Sequence, residues 1–488
     1  MIEKKRYIGW KVSWLRGGDS VFIAHLVSFI IAGTFIPYGF SCKKISTEAD
    51  SVSGKPVREY TEILGRLSNS SITINYLFDQ GTDFYCEYGT LPGSYPGKTE
   101  QYIADKDVPK EVTLKNLQPN TQYYYRTRFR QPGSVIEYNT GTEHSFHTQR
   151  PAGSTFTFAI EADPHLDVNS DTAAYAVSLK NILAGKPDFM LDLGDTFFSE
   201  KQPGVNQEII TERHILYRQY FGRTCHSVPL YLVIGNHEGE SGWLLDGSAS
   251  NVPVMASNTR NLYYSNPKPD NFFSGDSKPE EFVGLRGNYY AFEWGDALIV
   301  VLDPYWYTTI KPDWGWTLGL EQYNWFRNVI SSSTAKYKFV FCHQLVGGKG
   351  NDARGGAEYA NLFEMGGYNA DGTWGFDTNR PGWGKPIHTL MKENNVKIFF
   401  HGHDHFYGKQ EKDGIIYQEV PQPSNKNLNN ISAASYGYTT GLLLPGRGYL
   451  RVEVTPQNVK VDYIGTCLPS EEVNGHTNGE VVTSYNLN

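Results

Sequence analysis

The sequence predicts two folded parts in series: an antiparallel β-sandwich, then an α/β region whose sheets are covered by helices. Three observations carry that expectation. Residues 59–149 alternate apolar and polar side chains with a period of two. From residue 150 onward, short and almost continuously apolar strands alternate with helix-like stretches. Five of six such strands end in Asp, Asn or His.

Residues 1–42 do not read as fold. Lys4, Lys5, Arg6, Lys11 and Arg16 precede an apolar run from Val21 to Phe40, which ends at Ser41-Cys42. That order resembles a bacterial lipoprotein export signal, although Gly39-Phe40-Ser41 lacks the usual leading Leu. An uncleaved signal anchor is the rival reading, since about 20 apolar residues can span a bilayer. His25 and Pro37 make it a poor span. Either reading exports the chain, to the periplasm or cell surface, with a lipid or signal anchor at the membrane. Residues 43–58 are small, polar and charged, which suits a flexible linker.

In residues 59–149, Ile72, Ile74 and Tyr76 alternate with polar neighbours, as do Val112 and Leu114, then Tyr123, Tyr125, Thr127 and Phe129. Gly, Pro and Asn lie between these runs, the pattern of short antiparallel strands in a sandwich. The run from Leu117 to Arg126 resembles the corner and strand of a fibronectin type III-like domain. A packing module without chemistry is the expectation for it.

The α/β region, 150–466, carries strands at Thr155–Ile160, Phe189–Leu193, Leu230–Ile234, Ala297–Leu302, Phe339–Cys342 and Lys397–Phe400. Helices are expected over Thr172–Ala184 and Gln207–Tyr220. Apolar strands of this kind belong to sheets covered on both faces, where ligands sit beyond the strand ends. Segments 239–290 and 346–385, rich in Gly, Asn, Asp, Tyr and Trp, are expected to wall a site. Residues 467–488 read as a polar, loosely held tail. The net charge of −8 leaves no basic footprint for nucleic acid. Five scattered cysteines offer neither a disulfide framework nor a thiolate metal site.

The strand ends read Asp163-Pro164-His165, Gly194-Asp195, Gly235-Asn236-His237-Glu238, Cys342-His343 and Gly402-His403-Asp404-His405. Singly, each has an ordinary explanation as a cap, a turn or a satisfied core histidine. Together, imidazole, carboxylate and amide at consecutive strand ends form a donor set for transition metals.

This ordered set resembles the calcineurin-like metallophosphoesterase superfamily, and the preceding sandwich makes it most similar to the purple acid phosphatase branch. The resemblance covers roughly residues 70 to 465. It implies a two-sheet α/β sandwich with two metal ions at one edge, Fe, Mn or Zn. Asp163, His165 and His405 would hold one metal; Asn236, His343 and His403 the other; Asp195 would bridge them. The metals would lower the pKa of a bound water and so supply hydroxide as the nucleophile. His237 is expected to bind phosphate and to protonate the leaving alkoxide.

Several neighbours carry weaker expectations. His401 is a structural support for the ligands, and Asp303, after the fourth strand, a packing or turn residue. Arg354 and Arg380 are candidates for binding a phosphate with planar donors. Trp243, Tyr305, Trp306, Tyr307, Trp374 and Trp383 pack the long loops, with some able to line an organic-substrate pocket. Phe198 is a departure: the purple enzymes carry Tyr three residues after the bridging Asp, and other superfamily members often carry Asp there. His165 replaces the lost Tyr ligand, and the partner that orients His237 has no counterpart in the sequence.

The expected function is a metal-dependent, acid phosphatase-like hydrolase of small phosphate monoesters. The alternatives are a phosphodiesterase or nucleotidase on the same centre and, in a different class, a non-catalytic cell-surface binding protein.

Overall fold

The computed structural model describes residues 60–472 and 477–487. The expected export segment, 1–42, and the expected linker, 43–58, lie outside these residues. The expected fold class is the observed one: antiparallel β-sheets, then an α/β region of two facing sheets.

In the N-terminal part, strands Tyr60–Gly65, Ser71–Phe78 and Lys110–Lys115 form one antiparallel sheet. Thr82–Gly89 and Gln122–Arg130 pair at the centre of a second. Inward side chains meet between them, Phe84 lying 4.9 Å from Tyr76 and 4.8 Å from Phe78 between ring centroids. The period of two is realised on Gln122–Arg130, where Tyr123, Tyr125 and Thr127 are buried. The Tyr123 hydroxyl accepts from the Gln118 amide at 2.8 Å and closes the preceding corner.

Arg218 fastens this part to the α/β region. Its buried guanidinium donates to Asn75 and Thr61 on the sandwich strands and to the Tyr263 carbonyl.

The α/β region stacks a six-stranded sheet on an eight-stranded one. The first contains Leu230–Leu232, Phe189–Asp192 and Phe156–Glu161 in parallel. The second contains Ala297–Val301, Tyr337–Phe341, Val396–His401 and Ile415–Glu419, also parallel. Alternate residues serve two interfaces, which is why these strands are apolar throughout. Phe158 meets Phe339 and Phe341 of the opposite sheet, at 6.1 and 6.2 Å. Ala159 turns to the other face, in one cluster with Tyr175, Leu179 and Ile182 of helix Thr172–Gly185. Val340 likewise shares a cluster with Tyr323, Phe326 and Ile330 of helix Leu320–Ser332. The Asp171 carboxylate caps the first helix by accepting from Ala173 and Ala174.

Two expectations need correction. Segment 239–290, expected as a wall without clear periodicity, holds the helix Val252–Tyr263, capped by Asn251. The tail is not wholly loose: Val481–Leu487 forms the edge strand beside Val459–Gly465. Its β-branched and aromatic residues suit a pleated edge and outweigh the polar composition around them.

Candidate metal centre

The apolar strands end on one side of the sheet pair, and each ends in a tight turn. Asp163, His165, Asp195, Phe198, His403 and His405 all have positive φ, between 48° and 82°. Non-glycine residues seldom adopt this conformation, and it concentrates at functional sites. The glycines of the motifs permit close approach. A Cβ on Gly402 would lie 2.6 Å from Asp163 Oδ2, and one on Gly235 would lie 2.3 Å from the Asp195 nitrogen.

These turns gather two groups of ligating atoms. Asp163, His165 and His405 form one; Asp195, His343 and His403 form the other. In each carboxylate one oxygen is held by a backbone amide and the other faces imidazoles. Asp163 Oδ2 accepts from the His403 amide at 2.9 Å, while Oδ1 lies 3.4 Å from His405 Nε2 and 3.7 Å from His165 and His343 Nε2. Asp195 Oδ1 accepts from the His237 amide at 2.7 Å, and Oδ2 lies 3.3 Å from His343 Nε2 and 3.6 Å from His165 Nε2. Asp195 Oδ2 therefore faces both groups.

Backbone acceptors fix the tautomers. His343 Nδ1 donates to the Leu193 carbonyl at 2.8 Å, which turns Nε2 toward the carboxylates as the atom available to a metal. His403 Nε2 donates to the Asp352 carbonyl at 2.7 Å, leaving Nδ1 facing His343 Nε2 at 3.3 Å. Asp163 Oδ1, His165 Nε2 and Asn236 Oδ1 are buried without a hydrogen-bond partner. A buried polar atom without a partner is costly, and a cation among these atoms would remove that cost. The donor set, imidazole with carboxylate and amide oxygen, fits a transition metal.

The electrostatics point the same way. Burial opposes charge on Asp163, yet His405 and His343 hold its carboxyl well below the usual range. Against the pull of burial, Asp163 and Asp195 push His165 up to about 10, and Asp195 and Asp163 push His343 up to about 9. The carboxylates thus attract protons to the rings that a metal would claim.

His237 stands beside the cluster, its Nε2 3.8 Å from Asp195 Oδ2. Its Nδ1 makes a very short contact with Glu200. Glu200 is thus the orienting partner that the sequence did not reveal. It lies five residues beyond Asp195, whereas the family pattern draws attention to the third. Phe198, at that third position, packs its ring 4.6 Å from His237 and 4.9 Å from His165.

Three more supports escaped the sequence. The Glu238 carboxylate accepts from the amides of Gly235, Asp195, Thr196 and Phe197, fixing the Asp195 turn. Glu419 accepts from the amides of Asp404 and His405, and its other oxygen lies 2.7 Å from His401 Nδ1. His401 is therefore a buried support for the ligand turn, in keeping with its expected role. Arg213 donates to the carbonyls of His165 and Phe197, both at 2.6 Å, and staples two turns together.

Both candidate arginines make bonds within the protein. Arg380 donates to buried Glu364 at 2.5 Å and to the carbonyls of Asn379, Trp314 and Trp316. These bonds commit its guanidinium to structure. Arg354 spends Nη1 on the His403 carbonyl and on Asp404, at 2.6 and 2.9 Å, and so braces a ligand turn. Among the aromatics, Trp383 packs on Tyr323, Trp374 on Tyr368 and Trp306 under Arg286. Tyr307 donates to Glu280. Only the group around Trp243 and Tyr305 approaches the ligands, Tyr305 lying 6.2 Å from the His343 ring.

The profile of the calcineurin-like phosphoesterase family matches residues 156–407, just over half of the chain. No curated protein sequence matches. Among solved structures, PhoD superposes with a TM-score of 0.64 at 16% identity, over 87% of this chain and 89% of that one. Purple acid phosphatase PPD1 from yellow lupin seeds superposes with a TM-score of 0.57 at 14% identity, over 87% and 73%. At these identities the likeness is one of fold.

Proposed function

The chain belongs to the calcineurin-like phosphoesterase family, and from that premise we propose that it hydrolyses phosphate monoesters at a pair of metal ions. The residues that would hold them are Asp163, His165 and His405 on one side, Asn236, His343 and His403 on the other, with Asp195 shared. The observation that carries this reading is Asp195 Oδ2, which faces imidazoles of both groups at 3.3 and 3.6 Å. When bound, such ions supply Lewis-acid charge to phosphoryl oxygens and activate water.

The chain's own residues do the rest. His237 carries a proton on Nε2 for the departing alkoxide, and Glu200 at Nδ1 stabilises the charged ring and fixes its orientation. Phe198 packs against His237 and His165 and excludes water from that side. Glu238, Glu419 and Arg213 hold the turns, so that little reorganisation accompanies the reaction.

Elemental analysis after loading with Fe, Mn or Zn tests the centre, with two metals per chain expected. The loaded protein should cleave p-nitrophenyl phosphate faster than its bis ester. No more than one metal overturns the dinuclear reading, and faster cleavage of the bis ester moves the assignment to a diesterase. Failure on every ester with both metals bound would favour a binding protein.

Residues 1–42 are proposed to tether the protein outside the cytoplasmic membrane, on the strength of their basic, apolar and Cys42 order. Cys42→Ser should abolish lipid labelling and processing; unchanged processing would favour a signal anchor.

A further inference from the structure

Lys311 is a cation that makes no ion pair or hydrogen bond among the described residues, although Asp352 and Glu200 lie within electrostatic reach. Its Nζ lies 3.9 Å from the ring centroid of Trp243 and 5.3 Å from that of Trp316. Among the described residues no carboxylate or carbonyl reaches it; its contacts are the two rings. Most other cations around the centre are engaged: Arg213 on backbone carbonyls, Arg354 through Nη1 on the His403 carbonyl and Asp404, Arg380 on Glu364, Lys349 on the Ser435 carbonyl.

Its place is defined by its platform. Trp243 stands edge-on to Tyr305 and Trp316, at 6.3 and 5.6 Å, and Tyr305 lies 6.2 Å from the His343 ring. The amide of Gly242 donates to the Tyr305 carbonyl at 3.0 Å, which anchors the Trp243 turn to the strand-end side. The charged groups that face Lys311 are Asp352, Lys201 and Glu200. Glu200 holds His237, and the Asp352 carbonyl holds His403. Lys311 thus stands on the side of the centre occupied by His237 and His403.

A half-buried ammonium gives up hydration, and aromatic faces restore only part of it. An oxyanion would restore the rest with charge-assisted hydrogen bonds. The phosphoryl group itself falls to the ligand cluster and His237, and His237 addresses the leaving oxygen. What extends past His237 toward Lys311 is the alcohol half of the ester.

We propose that Lys311 anchors a second oxyanion, a carboxylate or phosphate, carried on the alcohol half of the substrate ester. Lys311 is then a specificity-determining residue, and the preferred substrates are phosphomonoesters of acidic alcohols. The inference rests on the phosphoesterase reading, and its test separates the two.

The metal-loaded full chain is assayed with 4-carboxyphenyl phosphate, 4-phosphonophenyl phosphate and the neutral 4-carbamoylphenyl phosphate. The wild type should favour at least one anionic ester by about tenfold in kcat/KM, the worth of one charge-assisted hydrogen bond. Lys311→Met should lower kcat/KM on that ester about tenfold more than on the carbamoyl ester, and Lys311→Arg should recover part of the difference. Comparing variants cancels the leaving-group chemistry that the esters do not share. Which anionic ester responds distinguishes carboxylate from phosphate recognition. Equal losses on all three, or no preference in the wild type, overturn the inference. Calorimetry with 4-carboxybenzylphosphonate, 4-phosphonobenzylphosphonate and benzylphosphonate repeats the comparison without turnover. Lys311-dependent preference for an anionic phosphonate, with no ester cleaved, would keep the anchor and sink the hydrolase reading. Cleavage of all esters alike, with no such preference in binding, would do the reverse.

Discussion

Two of the clusters of buried charge among the described residues differ in whether the protein pairs every carboxylate oxygen. The first is Glu240, Arg260, Arg286 and Asp303, each no more than 1% exposed. Every carboxylate oxygen there has a partner. Glu240 accepts from both arginines, and Asp303 accepts from Arg286, Asn288 and the Tyr305 amide. The second is the strand-end cluster, where Asp163 and Asp195 are as deeply buried but His405 is partly exposed. One oxygen of each acid there faces only imidazoles, and Asp163 Oδ1, His165 Nε2 and Asn236 Oδ1 have no hydrogen-bond partner. Asp303 follows a strand just as Asp163 and Asp195 do. A strand-end acid is therefore structural or ligating according to whether a guanidinium has already claimed it.

The sharpest way to break that comparison is to remove one charge from each cluster. Asp195→Asn should lower kcat by roughly three orders of magnitude and lower the metal content, because Asp195 serves both groups. Compared after chelator treatment, unfolding by denaturant should change little. Glu240→Gln should do the opposite. Burial opposes its charge, but Arg260 and Arg286 hold its carboxyl down at about 2, so the variant leaves two buried cations short of a partner. A cost of about 3–5 kcal/mol is expected in denaturant unfolding, with the metal content of the folded protein unchanged. Similar stability losses in both variants would erase the distinction.

The Glu200 and His237 pair gives a smaller effect. Glu200→Gln keeps a hydrogen-bond acceptor but removes the charge that stabilises a protonated ring. Activity should fall about ten- to a hundredfold, more on alkyl phosphates than on p-nitrophenyl phosphate, whose leaving group needs little protonation. Equal loss across leaving groups would make Glu200 a packing residue.

The two clusters also show what a sequence reveals. The strand ends were legible because each continuous apolar run stops visibly, and the ligands follow within a few residues. The supports were not, because their partners come together only through folding. Glu419 lies on the strand beside the one that leads into His403, with a hairpin between them. Arg213 reaches two turns from a helix. The bonds of Arg354 and Arg380 were not legible for the same reason: an arginine's partners depend on which acid folds against it, and Asp404 lies 50 residues from Arg354 and Glu364 lies 16 from Arg380. Glu200 was close enough to find, being in the same turn as Asp195.

Acidity sharpens the comparison further. In the metal-free protein His165 is pushed up to about 10 by Asp163 and Asp195 against burial, and His343 up to about 9. An unfolded His titrates near ~6.5. A group raised in this way adds stability that is fully present below about 6.5 and is lost as pH rises toward its folded value. Metal binding requires the same rings neutral, so metal affinity grows over that same window. The gap in Tm between metal-loaded and chelator-treated protein should widen by several degrees from pH 6 to pH 9. The Glu240 cluster, already charged throughout that range, should add nothing to the change. A gap independent of pH would mean that the imidazoles do not exchange protons for metal.

The smallest effect is optical and concerns the residue that stands where the purple enzymes carry tyrosine. Phe198 has no oxygen, and its ring packs 4.9 Å from His165 rather than presenting a donor. Imidazole is a neutral ligand and lacks the low-energy charge transfer of a phenolate on ferric iron. The protein loaded with iron should therefore show no strong purple band while remaining active. Tyr407, the nearest tyrosine after His405 in the chain, is stacked at 5.0 Å on Tyr463 in the core. Tyr305, which lies beside His343, is buried among tryptophans. Phe198→Tyr offers the converse: a phenol at that position next to His165 should bring in a visible band when iron is bound, with activity lowered by the disturbed packing on His237. A strong band already present in the wild type, and lost in Tyr305→Phe, would show that a tyrosine holds the metal and that the assignment of His165 as a ligand is wrong.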